Sequence, residues 1–227
     1  MMDFTALASD LGVHHLPLFI GAGLLLNITP GPDVFYILAN SLRSGARAGV
    51  VAALGITAGC FVHIFAAAVG ISALVNASAT AFTVLKWLGA AYLVWVGLQM
   101  LLARAPAKTP DLIAAGAGDT GAAGQKSLKK VFLQGFWTNA LNPKVALFFL
   151  AFLPQFADPA RGSMAWQIML LGWVFMLASL LVFGAIACFS GAFGTLLQGS
   201  ARAQNLLNRA AAAVFLALAL RLLLVQR

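Results

Sequence analysis

Asn27-Ile28-Thr29-Pro30-Gly31-Pro32-Asp33 and Thr138-Asn139-Ala140-Leu141-Asn142-Pro143-Lys144 are the two stretches on which the architecture turns. Each lies within an apolar block long enough to cross a bilayer, and neither can continue as undisturbed helix. A proline inside a helix removes a backbone donor and clashes with the preceding turn, at a cost of roughly 3 kcal/mol. Gly31 between Pro30 and Pro32 removes the side chain that would stiffen the chain. Aligning Pro32-Asp33-Val34 with Pro143-Lys144-Val145 places a charge directly after each break, of opposite sign in the two. The carbonyls and amides freed at a break cannot face lipid, where each unsatisfied group costs several kcal/mol. They must face protein or a wet cavity. The plainer alternative is a pair of kinks that only shape a helix bundle.

Working outward, six apolar blocks approach the 20 or so residues that a spanning helix needs: 17–39, 49–75, 83–103, 131–153, 164–189 and 206–225. Their unbroken apolar character argues against a β-barrel, whose strands alternate in and out. Arg209 and Arg221 bracket the sixth block, which spans only if both snorkel to opposite interfaces and otherwise lies along the surface. The expected fold is an all-α polytopic membrane protein. Its six transmembrane helices form two inverted three-helix repeats, with helices 1 and 4 broken. Residues 1–103 make the first repeat and 131–227 the second. The stretch 104–130, rich in Ala, Gly, Pro and Lys, reads as a flexible cytoplasmic linker. Three spans per half is an odd number, so the second half lies upside down relative to the first.

Composition agrees. The 227 residues are 62% apolar and 9% charged, with a mean hydropathy of +0.94. That leaves too little polar surface for a water-soluble globule and excludes a soluble enzyme domain, a disulfide-stapled secreted module, a disordered chain and a groove-reading DNA binder. A net charge of +8 would suit nucleic acid, but the lysines and arginines are spread between apolar blocks, as in loops facing an anionic inner leaflet. With six spans, Arg43, Arg47, Arg104, Lys108, Lys126, Lys129, Lys130, Arg202 and Arg209 fall on one side, and Lys86, Arg161, Arg221 and Arg227 on the other. The richer side is expected to be cytoplasmic, with both termini outside. Asp3 and Asp10 precede the first block without a basic residue, unlike a cleaved secretory signal, so that block is expected to remain as a span.

Paired, Pro/Gly-interrupted helices at matching positions of inverted halves are the sequence signature of a transporter's central site. Within them Asp33 and Lys144 stand out, because a charge at mid-membrane costs about 2.5–3.5 kcal/mol on insertion scales and must avoid lipid. The two are expected to meet across the pseudo-two-fold axis, with Asp33 as the proton-responsive group and Lys144 as its partner. Asp33 can instead serve as a helix cap, and Lys144 can snorkel. His63 follows Gly55 and Gly59 at four-residue spacing. The glycines signal close helix packing, and the histidine is either a proton relay or a neutral, hydrogen-bonded interior residue. His14 and His15 precede the first block and read as interfacial. Most of the tryptophans lie near span ends, as interfacial anchors do; Trp137, beside the second break, either lines the cavity or faces an interface. Cys60 and Cys188 read as small buried apolar residues, and no metal or cofactor is called for.

The chain also resembles the LysE/RhtB amino-acid exporters over nearly its whole length. The resemblance rests on Thr29-Pro30-Gly31-Pro32-Asp33, on Lys86-Trp87-Leu88-Gly89-Ala90-Ala91-Tyr92-Leu93 with Gly97, and on Phe132, Gly135 and Asn139 running into Asn142-Pro143-Lys144. The most specific string is Phe148-Phe149-Leu150-Ala151-Phe152-Leu153-Pro154-Gln155-Phe156. It implies a bacterial inner-membrane exporter that moves amino acids or close derivatives outward by proton antiport, without fixing which amino acid. On that footing Asn27, Thr29, Pro30, Gly31, Pro32, Asp33, Asn139, Asn142, Pro143 and Lys144 form the expected substrate site, and Asp33, Lys144 and His63 the coupling group. Half-helix N-termini at Asp33-Val34 and Lys144-Val145 would cradle the substrate carboxylate, and unwound carbonyls near Asn27 and Asn139 its ammonium. The side chains of Asn27, Thr29, Thr138, Asn139 and Asn142 can equally serve to tie down freed backbone. The expected partners are an amino acid, protons and the bilayer, not nucleic acid, with a homo-oligomer left open.

Other function classes fare worse. A metalloprotease needs a His-Glu-x-x-His helix, and the chain contains no Glu. An intramembrane aspartyl protease needs two aspartates where only Asp33 qualifies. No phosphate-binding Gly-rich loop precedes a Lys-Ser/Thr pair. A channel and a cation or metal exporter of related fold remain the alternatives, the latter weakened by a single buried carboxylate.

Overall fold

The computed structural model describes residues 12–102, 127–192 and 201–224. Asp3, Asp10 and most of the expected linker lie outside these residues. Those described are overwhelmingly helical: α1 (Leu16–Ile28), α2 (Pro32–Ser44), α3 (Ala46–Ala77), α4 (Ala79–Leu102), α5 (Leu128–Ala140), α6 (Pro143–Phe152), α7 (Met164–Cys188) and α8 (Ala201–Leu224). Short 3-10 turns at Leu153–Phe156 and Pro159–Arg161 lead from α6 to α7. α5 starts at Leu128, so the last three residues of the expected linker are the first turn of a helix.

Both expected breaks are present. α1 and α2 meet at 54°, and α5 meets the continuation of α6 at 52°. In each case the proline opens the second half-helix, where its missing N–H has no intrahelical partner to lose. Gly31 precedes α2 in extended backbone, and Asn142 precedes α6 and caps it by accepting from the Lys144 amide at 3.1 Å. α3 and α7 are long and apolar enough to cross a membrane by themselves, and each bent pair qualifies if taken as one span. α8 runs for 24 residues and buries Ala211, Ala212, Phe215 and Ala219 on one face, packed along α4.

α3 is the hub, in contact with α2, α5, α6 and α7. Its approach to α5 is close because both surfaces are stripped to glycine: a Cβ on Gly55 would run into the Phe132 carbonyl, and one on Gly59 would sit 2.6 Å from the Phe136 carbonyl oxygen. From the other side, a Cβ on Gly135 would lie 2.9 Å from the Ala52 carbonyl oxygen. Backbones in such contact are the packing role read from the Gly55/Gly59 spacing. The core beside them is aromatic, with Phe19, Phe148, Phe149, Phe152, Phe156 and Phe175 all buried. The outer surface carries Phe65, Leu177, Leu181 and the five tryptophans, each more than half exposed. That is a face made for lipid.

At one end the segment before α1 is tied to the turn after α6. Val13 bridges Ala157, the His14 amide donates to the Phe156 carbonyl at 2.9 Å, and the Asp158 amide donates to Gly12 at 3.0 Å. His14 Nε2 lies 3.3 Å from Asp158 Oδ2. His14 is thus anchored to a partner in the turn after α6.

Candidate functional site

The two breaks lie side by side. Asp33, in the first turn of α2, accepts from Asn139 Nδ2 at 3.0 Å and from Asn142 Nδ2 at 3.3 Å, all three residues being buried. Asn139 ends α5 and Asn142 caps α6, so the carboxylate of the first break is held by both flanks of the second. Asn142 serves twice: its Oδ1 caps α6, leaving its amide free to reach Asp33. No side chain caps α2, and Asp33 points across to the other break instead of taking the capping role.

Lys144 takes a different path from the one expected. Its Nζ donates to the Leu26 carbonyl at 3.4 Å, beside Gly31, where a Cβ would lie 3.8 Å from the ammonium. The ion pairs among the described residues are His14–Asp158 and Arg161–Asp158, so Asp33 and Lys144 share a cavity without a direct bridge. The physical reason is competition: α1 ends there with carbonyls that have lost their helical partners, and an ammonium is a strong donor for one of them.

Several other groups at the breaks are matched as well. Thr29 returns its amide and hydroxyl to the Leu25 carbonyl, at 3.0 and 2.6 Å. His63 Nε2 donates to the Asn139 carbonyl at 2.8 Å, and the Asn142 amide donates to the same oxygen at 2.8 Å. The main-chain carbonyl near Asn139, expected to receive a substrate ammonium, is therefore already engaged. Thr138 bonds back to Gln134 within α5 at 2.8 Å, the backbone-tying role. Asn27 donates to Ser179 Oγ of α7 at 2.8 Å, and Ser179 donates on to the Phe175 carbonyl at 2.8 Å.

Between the breaks is a small cavity. The first break contributes Asn27, Thr29, Gly31, Pro32 and Asp33 to its wall, and the second Asn139, Asn142 and Lys144. Pro30 and Pro143 are not on the wall; they shape the chain around it. His63 acts from behind, through Asn139. Trp137 is more than half exposed and faces away. The rest of the wall is apolar: Leu26, Val34 and Val145 beside the breaks, Cys60 from α3, and Phe175 and Phe183 from α7. The α7 residues were invisible to sequence reasoning, since a phenylalanine in an apolar helix carries no signal; Ser179, alone and polar at mid-helix, was the clue available. The cavity leaves about 20 Å³ in which a water molecule could be centred, room for one or two. Two buried oxygens of wall residues, Asp33 Oδ1 and Asn139 Oδ1, have no protein donor.

The model of the LysE type translocator family matches residues 24–226, so the chain belongs to that family. It is 30% identical to the homoserine/homoserine lactone efflux protein of Salmonella typhimurium over 193 residues, covering 85% of this chain and 87% of that one. It is 27% identical to the leucine efflux protein of Enterobacter sp. (82% and 84% covered) and 30% identical to the membrane protein YrhP of Bacillus subtilis (75% and 80%). No solved structure matches it. The chain is a multi-pass transporter of the bacterial inner membrane, in a family of amino-acid efflux proteins, and not an enzyme.

Proposed function

We propose that this LysE type translocator exports an amino acid or a close derivative by proton antiport, through a midplane site between its two broken helices. The observation that carries the reading is the pair of buried acceptors, Asp33 Oδ1 and Asn139 Oδ1, which belong to two residues of the cavity wall and have no donor. A substrate ammonium supplies up to three donors. Its carboxylate is then met by Lys144, whose long 3.4 Å bond to Leu26 is readily exchanged, and by the N-terminal turn of α2, which no side chain caps. Asn27, Thr29, Gly31, Pro32 and Asn142 complete the wall, with Pro30 and Pro143 setting the breaks. The space is too small for an amino acid in this conformation, so loading requires the breaks to part.

Six spans in two inverted repeats, 1–103 and 131–227 joined by the linker 104–130, are the frame of this reading. The packing supports it. Exchanging the halves turns the contact of α3 with α5 into that of α7 with α1, while α3 with α7 and α4 with α8 map onto themselves. In this frame Asp33 exchanges its proton when its amide partners withdraw, Lys144 follows as its electrostatic counterpart, and His63 contributes indirectly by holding Asn139 in place.

The test is expression in cells with high internal amino-acid pools. One amino acid should appear outside faster than in control cells and against its gradient, and a protonophore should abolish that. Movement that only runs downhill and ignores the proton gradient would replace the exporter with a channel.

A further inference from the structure

We infer that the cargo passes between the cavity and the cytoplasm along the seam of α2 with α5, and that Tyr36 is the residue that shuts this seam. The inference rests on the transport reading above and supplies its inner gate.

The cavity lies where two separate apolar clusters meet. Leu26, Cys60, Val145 and Phe175 of its wall belong to one, and Val34 and Phe183 to the other. The first runs on to Val13 and Ala157 and is fastened there by their main-chain bridge. The second, the smaller among the described residues, includes Tyr36 and Val131. Whatever leaves the cavity toward either end must part the cluster on that side.

Charge names the end that the second cluster seals. Gly55 abuts Phe132 and Gly59 abuts Phe136, so α3 and α5 run parallel and begin at the same end. Arg43 in the last turn of α2, Arg47 in the first turn of α3, and Lys129 and Lys130 in the first turn of α5 gather there. A basic end is the cytoplasmic one. Tyr36 stands between that end and Asp33, three residues on from the carboxylate.

Tyr36 is built into the seam as a detachable plug. Its ring meets α5 where Gly135 leaves room, a Cβ there coming within 3.2 Å of Tyr36 Cε1. Its hydroxyl donates across the seam to the Val131 carbonyl at 2.8 Å. That oxygen lies inside α5, where the amide four residues on is its helical donor, so giving up Tyr36 leaves no orphaned acceptor. The freed hydroxyl is met by the water that enters. α2 can tilt as one piece because glycine flanks both its ends: Gly31 at the break, and Gly45, whose φ of +82° lies in the left-handed region.

Cys60 is the natural reporter, since it lies on the cavity wall and is buried. In full-length protein carrying Cys188→Ala it is the one remaining thiol. A charged, membrane-impermeant methanethiosulfonate is applied to inside-out and to right-side-out vesicles. Tyr36→Phe keeps the ring and loses the hydroxyl, and should quicken labelling of Cys60 from the cytoplasmic face by roughly two- to tenfold, as one net hydrogen bond allows. Tyr36→Ala, which also removes the ring, should quicken it further. From the outer face both variants should label as the parent does. Labelling that rises equally from both faces would make Tyr36 a merely structural residue and overturn the inference. So would unchanged labelling from the cytoplasmic face in a protein that still exports an amino acid, which leaves the transport reading standing. The expected one-sided labelling in a protein that moves no amino acid would overturn the transport reading and leave the gate. Should Tyr36→Ala fail to insert, Tyr36→Phe alone decides.

Discussion

Asn139 at the end of α5 donates to Asp33 at the start of α2 over 3.0 Å, spanning 106 residues of sequence. The bond joins two interrupted helices at their interruptions. The carbonyl of the same Asn139 accepts from His63 of α3, so one asparagine couples the carboxylate, the break and the hub helix.

Asp33→Asn keeps the size of the side chain and an oxygen to accept from Asn139 or Asn142, but removes the exchangeable proton. The variant should insert at normal levels and lose the dependence of export on the proton gradient. Proton-driven export at the normal rate, measured in energised vesicles, would take Asp33 out of the coupling role.

Asp33 and Lys144 share a cavity without touching, so their influence on each other is electrostatic. In a double-mutant cycle of Asp33→Asn and Lys144→Gln, scored by substrate affinity, the double replacement should cost less than the sum of the singles. The coupling should fall in the range of roughly 0.5–3 kcal/mol found for groups within one network. Strict additivity would mean that the cavity does not connect them.

His63 holds a main-chain oxygen and is not on the cavity wall. His63→Gln retains an amide donor and should preserve the pH profile of export. His63→Leu removes one of two buried hydrogen bonds to the Asn139 carbonyl, at a cost of about 0.5–1.5 kcal/mol, and should lower both thermal stability and rate. A displaced pH profile in His63→Gln would make the histidine a proton relay.

Gly59→Ala puts a methyl group 2.6 Å from the Phe136 carbonyl oxygen and 2.8 Å from Asn139 Cβ. Backbone cannot yield as a side chain can, so α3 and α5 must separate, which costs about 1–3 kcal/mol as overpacking does. A lower melting temperature in detergent is expected, together with weaker export. By contrast a Cβ on Gly70, farther along the same helix, meets nothing within 4 Å, and Gly70→Ala serves as the control.

The tie between the segment before α1 and the turn after α6 must release if the breaks are to part toward that end. Val13 and Ala157 are bridged antiparallel partners, suited to a cysteine pair. In a Cys188→Ala background, Val13→Cys with Ala157→Cys should arrest export when oxidised and restore it under reductant. Full export by the cross-linked protein would show that this end stays shut throughout the cycle.

Hydropathy and the proline and glycine positions are local properties of the chain, and they sufficed for the helical class, the block boundaries to within a few residues and the two breaks. They also singled out Asp33, Asn139, Asn142 and Lys144, because a polar residue beside a broken apolar helix is conspicuous without knowledge of its neighbours. Which group meets which was decided by tertiary packing alone. Opposite charges pointed to an Asp33–Lys144 bridge, yet the carboxylate went to two asparagine amides and the ammonium to a freed carbonyl, since every buried donor and acceptor around the breaks competes at once. Phe175 and Phe183 look like any other residues of an apolar span, and only the rotation of α7 against the breaks brings them to the cavity. Breaking a helix is a matter of a few neighbouring residues, whereas pairing what the break exposes depends on three further helices.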